Sequence, residues 1–478
     1  MADLILPGVY IETRAEALIV SGPISAGNIG IVGTASQGPI GEVQILGSYA
    51  DAREIYGTYD PYTGPNSLTL VRALELAYNN GASTVFAVRV AGTGGNAPAA
   101  AKLPGGNPNA NVFNLEAKQI GTFGNGITIN IVDADAPSTG VKVTLKRGAV
   151  EEIYVVATGT ELATKVNAGS SLVRAITNPP LGGAGNEPAL MNNVSFTGGK
   201  NGEVTSDTDY ATGLEALLNE NVQIVVAAGQ TDDDILDRIG PHVADASDDN
   251  TKRDRIAVVG TRGFRDAGHP NETVSAFLSD VAAPTQVGDR IVIVTPGVKV
   301  TDAAADPPKE VTLPGSYAAA AVAAMLSARS PHISLTNKPI AVGGLEIKFS
   351  AAQLEQLVTA QLLALEERRG FRVVKGVTTD TGAFRQITTR RIVDFAKAGV
   401  RSAAEPYIGL LNNNRVRQAM KGSINGFLAS MVDDEMLVSY ELDVTATRDE
   451  EIRGIAKVTM TVRPTFSLDY IKVVMFLG

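Results

Sequence analysis

The 478-residue chain contains no cysteine, no tryptophan and only 3 histidines. Without thiols there can be no disulfide, no thiolate metal centre and no Cys nucleophile. His242, His269 and His332 have no partner at metal or triad spacing, so neither a His-rich metal site nor a Ser-His-acid triad is expected. No apolar run reaches the roughly 20 residues that span a bilayer. The longest small-residue stretch, residues 317–326, reads as a closely packed buried helix. The opening MADLILPGVYIE has neither a basic start nor a cleavage pattern, so export and direct membrane insertion are not expected. Cations are in deficit, with 41 Lys and Arg against 51 Asp and Glu, a net charge of −10. That balance disfavours nucleic acid as a partner, because phosphate neutralisation needs a basic surface.

A hydrophobic share of 44% with 19% charged residues is a globular balance, and the length suits several domains. Five runs read as strands of a parallel sheet: residues 29–33, 84–90, 222–228, 256–260 and 291–295. Their nearly unbroken hydrophobicity suits strands buried on both faces. Helical segments lie between them at 49–56, 68–78, from 232, 272–281 and 316–328. The alternation is that of βαβ units, so the expected fold class is α/β, α+β overall, with a parallel-sheet core.

The second and third of these strands are separated by a long interruption. It opens on a Gly/Ala/Pro/Asn-rich loop, continues through alternating segments at 127–132, 141–146 and 152–156, and leaves through TGGKNG. We read residues 92–202 as a β-rich domain inserted into a core formed by 21–91 and 203–343. Residues 344–478 read as a C-terminal α+β domain, with helices over 350–368 and through Val416, Met420, Ile424, Phe427 and Leu428. Strands are expected at 373–374, 386–392 and 470–477. Residues 351–421 hold 12 basic and 6 acidic residues, a basic segment on an acidic chain.

Motifs for chemistry are scarce. Gly92, Gly94 and Ala97 match the spacing of a dinucleotide turn, but Pro98 and Pro104 follow and no helix opens to receive a pyrophosphate, so linker is the better reading. Gly199-Lys200 lacks the rest of a phosphate-binding loop. Thr231-Asp232-Asp233-Asp234 reads as a helix start rather than a metal site. His242 and His332 each follow a proline and read as lying at element ends. Arg390-Arg391 reads as a strand-edge ion pair rather than an anion grip. No catalytic, cofactor or metal residue is assigned.

The termini stand out more than the middle. Residues 1–20 form an extended arm carrying Val9, Tyr10, Ile11 and Glu12, and the chain closes on a strand alternating Val458, Met460 and Val462 with Thr459, Thr461 and Arg463. Such arms either pair within their own chain or complete the sheet of another copy.

These residues resemble the tail sheath proteins of contractile-tailed phages and related injection machines. The likeness runs in order through the N-terminal PGVYIE, then Gly33-Thr34-Ala35-Ser36-Gln37-Gly38-Pro39, Gly47-Ser48-Tyr49 with Ile55-Tyr56-Gly57, and the strand ending Ala87-Val88-Arg89-Val90. It continues with Gly121–Ile127 at the start of the inserted domain, Asp209-Tyr210 with Gly213-Leu214-Glu215-Ala216-Leu217, and Gly376-Val377-Thr378-Thr379. Thr388-Thr389-Arg390-Arg391 is similar to the family's V-x-R-R strand, with Thr388 in place of Val, and Val458–Pro464 with Asp469-Tyr470-Ile471 resembles its close.

The resemblance implies a non-enzymatic subunit that needs no cofactor. Its copies would stack as hexameric rings into a helical sheath around an inner tail tube protein, bounded by baseplate and tail terminator proteins. The sheath would contract to drive the tube through an envelope. Its place would be a virion tail or injection particle assembled in the bacterial cytoplasm. Inter-subunit strand exchange would use Val9, Tyr10, Ile11 and Glu12 with Val458, Met460 and Val462. Arg415, Arg417 and Lys421 are the tube-facing candidates, since a releasable contact suits polar groups. A static shell or surface-array protein, or an α/β enzyme with a lid domain, are the alternatives.

Overall fold

The computed structural model describes residues 27–63, 68–92, 99–103, 109, 112–136, 138–176, 186–202, 207–283 and 287–477. The chain divides into a larger unit, 27–330 with 335–385, and a smaller one that includes 331–334 and 386–477.

The larger unit is built on an eight-stranded sheet. From the N-terminal side come β1 (Ile29–Gly33), β2 (Val43–Leu46), α1 (Tyr49–Tyr56), α2 (Leu70–Asn79) and β3 (Val85–Arg89). The first helix starts where expected because the Ser48 side chain accepts the Asp51 N–H. α2 opens after Thr69.

The inserted segment follows with β4 (Ala100–Lys102), β5 (Leu115–Ile120), β6 (Thr128–Asp133), β7 (Val141–Arg147), β8 (Val150–Val156), α3 (Gly159–Gly169), β9 (Val173–Ala175) and β10 (Met191–Ser195). It has its own apolar core around Ile129, Val143, Leu145, Leu162 and Phe196. Its alternation is physical: Val141, Val143 and Leu145 of β7 are buried while Lys142 and Thr144 are not. Arg89, buried at the end of β3, ties the insert to the core. One guanidinium nitrogen donates to the carbonyls of Gly38 (2.8 Å) and Ile120 (2.7 Å), the other to that of Asn201 (3.3 Å). Burial pushes its pKa down to about 10.

The return to the core supplies α4 (Asp207–Ala216), β11 (Ile224–Ala227), α5 (Asp232–Ala246), β12 (Ile256–Gly260), α6 (Val274–Val281) and β13 (Ile291–Thr295). Then come β14 (Val298–Asp302), β15 (Lys309–Leu313), α7 (Gly315–Ser327), β16 (Gly344–Leu345), α8 (Ala351–Thr359), β17 (Leu363–Glu367) and β18 (Phe371–Val373). The sheet order is β18-β17-β13-β12-β11-β1-β3-β2, parallel from β17 to β3 and antiparallel at both edges. The five expected core strands are all present, with Ile29 level with both Val85 and Ile224. The Ala-rich α7 is buried along residues 315–326.

Several expectations need correction here. The helix read over 350–368 ends at Thr359, after which Gln361 takes a φ of 62° and β17 begins. Leu362, Leu363, Ala364 and Leu365 are buried in succession, the signature of a strand covered on both faces rather than a helical stripe. Residues 344–385, read from sequence as part of the C-terminal domain, thus contribute to the larger unit and its sheet. His242 lies inside α5, not at its end, and its Nε2 stands 3.1 Å from the buried Arg255 guanidinium. The Asp232 stretch does open a helix, through a reciprocal capping box between Thr231 and Asp234.

The smaller unit packs α9 (Ile387–Ala404) and α10 (Asn414–Asp433) against a hairpin of β19 (Leu437–Thr445) and β20 (Lys457–Pro464), which α11 (Arg448–Ile452) connects. A strand was expected over 386–392. The segment is helical because Ile392, Ala396, Gly399 and Ala403, spaced by three and four, form one buried stripe that outweighs the β-branched Thr388 and Thr389. The Arg390 ion pair is present, but to Asp394 one helical turn on (2.6 Å). The strand expected at 470–477 is not formed, and residues 465–477 contain neither helix nor strand.

Candidate assembly surface

At the carboxyl ends of the parallel strands, where an open α/β sheet usually binds ligands, the chain packs closely on itself. Gly260 ends β12 directly against the start of α7: a Cβ there would lie 1.9 Å from the Gly315 carbonyl oxygen. Beside it Thr261 donates to Thr295 (3.1 Å), and Tyr210 donates to the Ala228 carbonyl (2.8 Å), all buried.

The smaller unit carries many exposed side chains beside its core. Its α10 is fixed by Asn413, whose side chain accepts the Val416 N–H (3.0 Å), and buries Arg417, Met420, Ile424, Leu428 and Met431 at spacings of three and four. The hairpin follows period two. Tyr440, Leu442 and Val444 pair with Val462, Met460 and Val458, and all but Met460 pack into the core shared with the helices. Thr459, Thr461 and Arg463 are exposed.

Val458, Met460 and Val462 therefore pair within their own chain along one edge of β20. Among the described residues this sheet has two strands, which leaves the other edge of each without a neighbour. Isolated two-stranded sheets are marginal, and open edges invite further strands. Val9, Tyr10, Ile11 and Glu12 lie outside the described residues.

The three basic candidates separate. Arg415 is exposed. Arg417 is buried and donates to the Asn412 side chain (2.9 Å) and to Glu451 (3.0 Å). Hydrogen bonds from Arg448 and Arg417 hold the Glu451 carboxyl below its ordinary pKa. Lys421 reaches Asp443 (3.2 Å). Arg417 thus holds α11 to α10 from within the unit, while Arg415 lies at its surface.

Sequence reading missed two exposed apolar groups. Ile408, Leu410 and Leu411 stand out on the loop before α10, and Ile452 and Ile455 on the turn before β20. The second group is the segment 466–477, where Phe476 and Leu477 are 90% and 93% exposed. The signal for the first was present in the run Ile-Gly-Leu-Leu closed by three asparagines, an apolar tip set between polar punctuation.

Comparison with known proteins defines the class: the chain has the fold of tail sheath proteins. Residues 379–477 match the family model of the phage tail sheath C-terminal domain. Over the whole chain, the structure is similar to the sheath tail protein from Desulfitobacterium hafniense, with a TM-score of 0.68 and 17% identity, covering 96% of this chain and 100% of that one. It is also similar to the sheath tail protein from Listeria innocua (TM-score 0.66, 17% identity, 95% of each chain). A third similar structure is the helical sheath of the anti-feeding prophage in its contracted state (TM-score 0.56, 15% identity, 98% and 99% covered). No curated protein matches the sequence.

Proposed function

We propose that the chain is the repeating subunit of a contractile tail sheath, polymerising as stacked rings around an inner tube and shortening to drive that tube through a target envelope. The observation that carries this reading is the smaller unit, a hairpin with open edges and an apolar segment left exposed, on a fold shared end to end with sheath proteins. Backbone pairing along a sheet edge is tolerant of side chains and of rotation, so arms exchanged between copies would act as hinges while the larger units slide. Val9, Tyr10, Ile11 and Glu12 would be the incoming arm, and β19 with β20, through Val458, Met460 and Val462, the receiving sheet. Energy stored at assembly behind a kinetic barrier would drive shortening without nucleotide hydrolysis. Arg415 and Lys421, supported by Arg417, would meet the tube. Baseplate and tail terminator proteins would bound the polymer, which would assemble in the cytoplasm as part of a tail or injection particle.

Negative-stain electron microscopy of the chain, alone and together with its tube protein, tests this. Hollow striated tubes, wider and shorter alone than around the tube protein, are expected. Small monodisperse particles under both conditions would overturn it.

A further inference from the structure

The larger unit carries two patches of opposite charge that its own sheet keeps apart. Residues 207–249 hold 11 acidic residues and 1 basic one, Arg238, which is paired with Asp207. On α5 the side chains of Asp233 and Asp237 are exposed one helical turn apart. Asp233 forms no ion pair among the described residues. Burial, and then repulsion from Asp280 and Asp234, raises its pKa above the ordinary carboxylate value. This end of α5 is short of a cation.

The hairpin of β17 and β18 has the reverse imbalance. Glu366 pairs with Arg368 (3.0 Å) and Glu367 with Lys348 (3.4 Å). Lys338, Arg369 and Arg372 form no ion pair among the described residues. Arg372 is fixed all the same, donating to the carbonyls of Asn337 (2.8 Å) and Arg368 (3.2 Å), while Arg368 donates to the Asn337 side chain (3.2 Å). Carbonyl oxygens orient a guanidinium without neutralising it, so the cluster is set for a carboxylate that its own hairpin does not supply. Arg369 is exposed at the turn, with a φ of 52°.

The sheet register shows why the patches cannot meet within one chain. Thr231, Gly260, Val294 and Leu363 stand side by side across the strands. α5 begins beside the first of these, and the hairpin rises from the last, three strand spacings or about 14 Å away. β17 then runs four residues further, about 13 Å, before it turns. The tip and the start of α5 are therefore about 19 Å apart along the backbone frame, more than an Arg and an Asp side chain span together, whereas an ion pair closes within about 4 Å.

We propose that the β17–β18 tip, through Arg368, Arg369 and Arg372, docks on the α5 carboxylates Asp233 and Asp237 of a second copy. Charge complementarity selects that occupant, because the acidic stretch is the counterpart this chain itself provides. The two patches are different surfaces of one unit and stand at different heights along the strands, so the contact is heterologous and repeats from copy to copy. The proposal rests on the sheath reading for the existence of a polymer and adds to it a contact between larger units.

The absence of cysteine makes the test direct. Arg369→Cys and Asp237→Cys, combined in one full-length chain, should give a ladder of covalent oligomers when assembled particles are mildly oxidised. Cross-linking confined to monomers or to closed dimers would overturn the proposal, as would assembled particles with no cross-link. Charge reversal gives a second reading. Arg368→Glu with Arg369→Glu should keep the parent melting temperature while the sedimentable fraction falls roughly tenfold at low salt. Asp233→Lys with Asp237→Lys should do the same, and all four substitutions together should restore assembly. Parent-like polymers from either pair, or a folded quadruple variant that does not recover, would overturn the proposal. If the unaltered chain forms no polymer, the sheath reading itself fails and takes this contact with it, whereas polymers that form without the cross-link remove the contact alone.

Discussion

Gly399 of α9 faces the ring of Phe427 on α10 so closely that a Cβ on the glycine would lie 1.8 Å from the ring's Cζ. The two helices of the smaller unit meet through a position that only a missing side chain permits. Gly399→Ala should therefore push the half-buried ring aside and destabilise the unit by about 1–3 kcal/mol. Thermal unfolding measures this, and pairing it with Phe427→Leu should recover part of the loss, a coupling that appears only if the two positions touch.

Arg417 braces two loops at once, so Arg417→Met should leave Glu451 and Asn412 without their donor. The expected cost is about 1–3 kcal/mol, with faster amide exchange confined to residues 408–413 and 448–456. Arg415→Glu, at an exposed side chain, should change stability and exchange far less and instead weaken co-assembly with the tube protein, most visibly at low salt. Equal exchange in both variants would remove the distinction drawn between them.

Two carboxyls of the larger unit titrate near neutrality. Burial, and then repulsion from Asp233, pushes Asp232 up to about 7. Burial likewise raises Glu346 to about 7, although it accepts N–H bonds from Phe264 (2.9 Å) and Gly297 (3.1 Å). Both are raised above their unfolded values, so their stabilising contribution is full below about pH 4 and is lost as pH climbs through 7. His242 acts in the opposite sense: burial and Arg255 lower it to about 4, so its contribution is lost as pH falls from 6.5 toward 4. Asp232→Asn should accordingly gain on the parent by about 1–3 kcal/mol at pH 8 and by little at pH 4.5, read from denaturant midpoints.

Deleting residues 1–12 should leave a folded, soluble subunit that no longer polymerises. Truncated chains that still build normal sheaths would remove arm exchange from the account.

The core was legible because its strands are buried on both faces, and burial writes itself as unbroken hydrophobicity at 29–33, 256–260 and 291–295. Misreadings fell where a distant partner decides the element. Leu363 and Ala364 become strand because β13 lies beside them. Thr388 and Thr389 become helix because the stripe from Ile392 to Ala403 needs a core to face. Residues 470–477 have a strand's composition but, among the described residues, no strand beside them. Arg417, offered as a tube-facing cation, is buried because Glu451 reaches it from a segment that sequence spacing does not bring near.

The staple at Arg89 has an evolutionary consequence. It grips the inserted domain only by main-chain carbonyls, those of Ile120 and Asn201, and reads no side chain there. Carbonyls can be offered by many sequences, so Arg89 constrains the insert's side chains little, although Gln119 Oε1 of the insert also accepts the Gly38 N–H (3.2 Å). Substitutions across the inserted domain's surface therefore leave this staple intact, because what it holds is backbone.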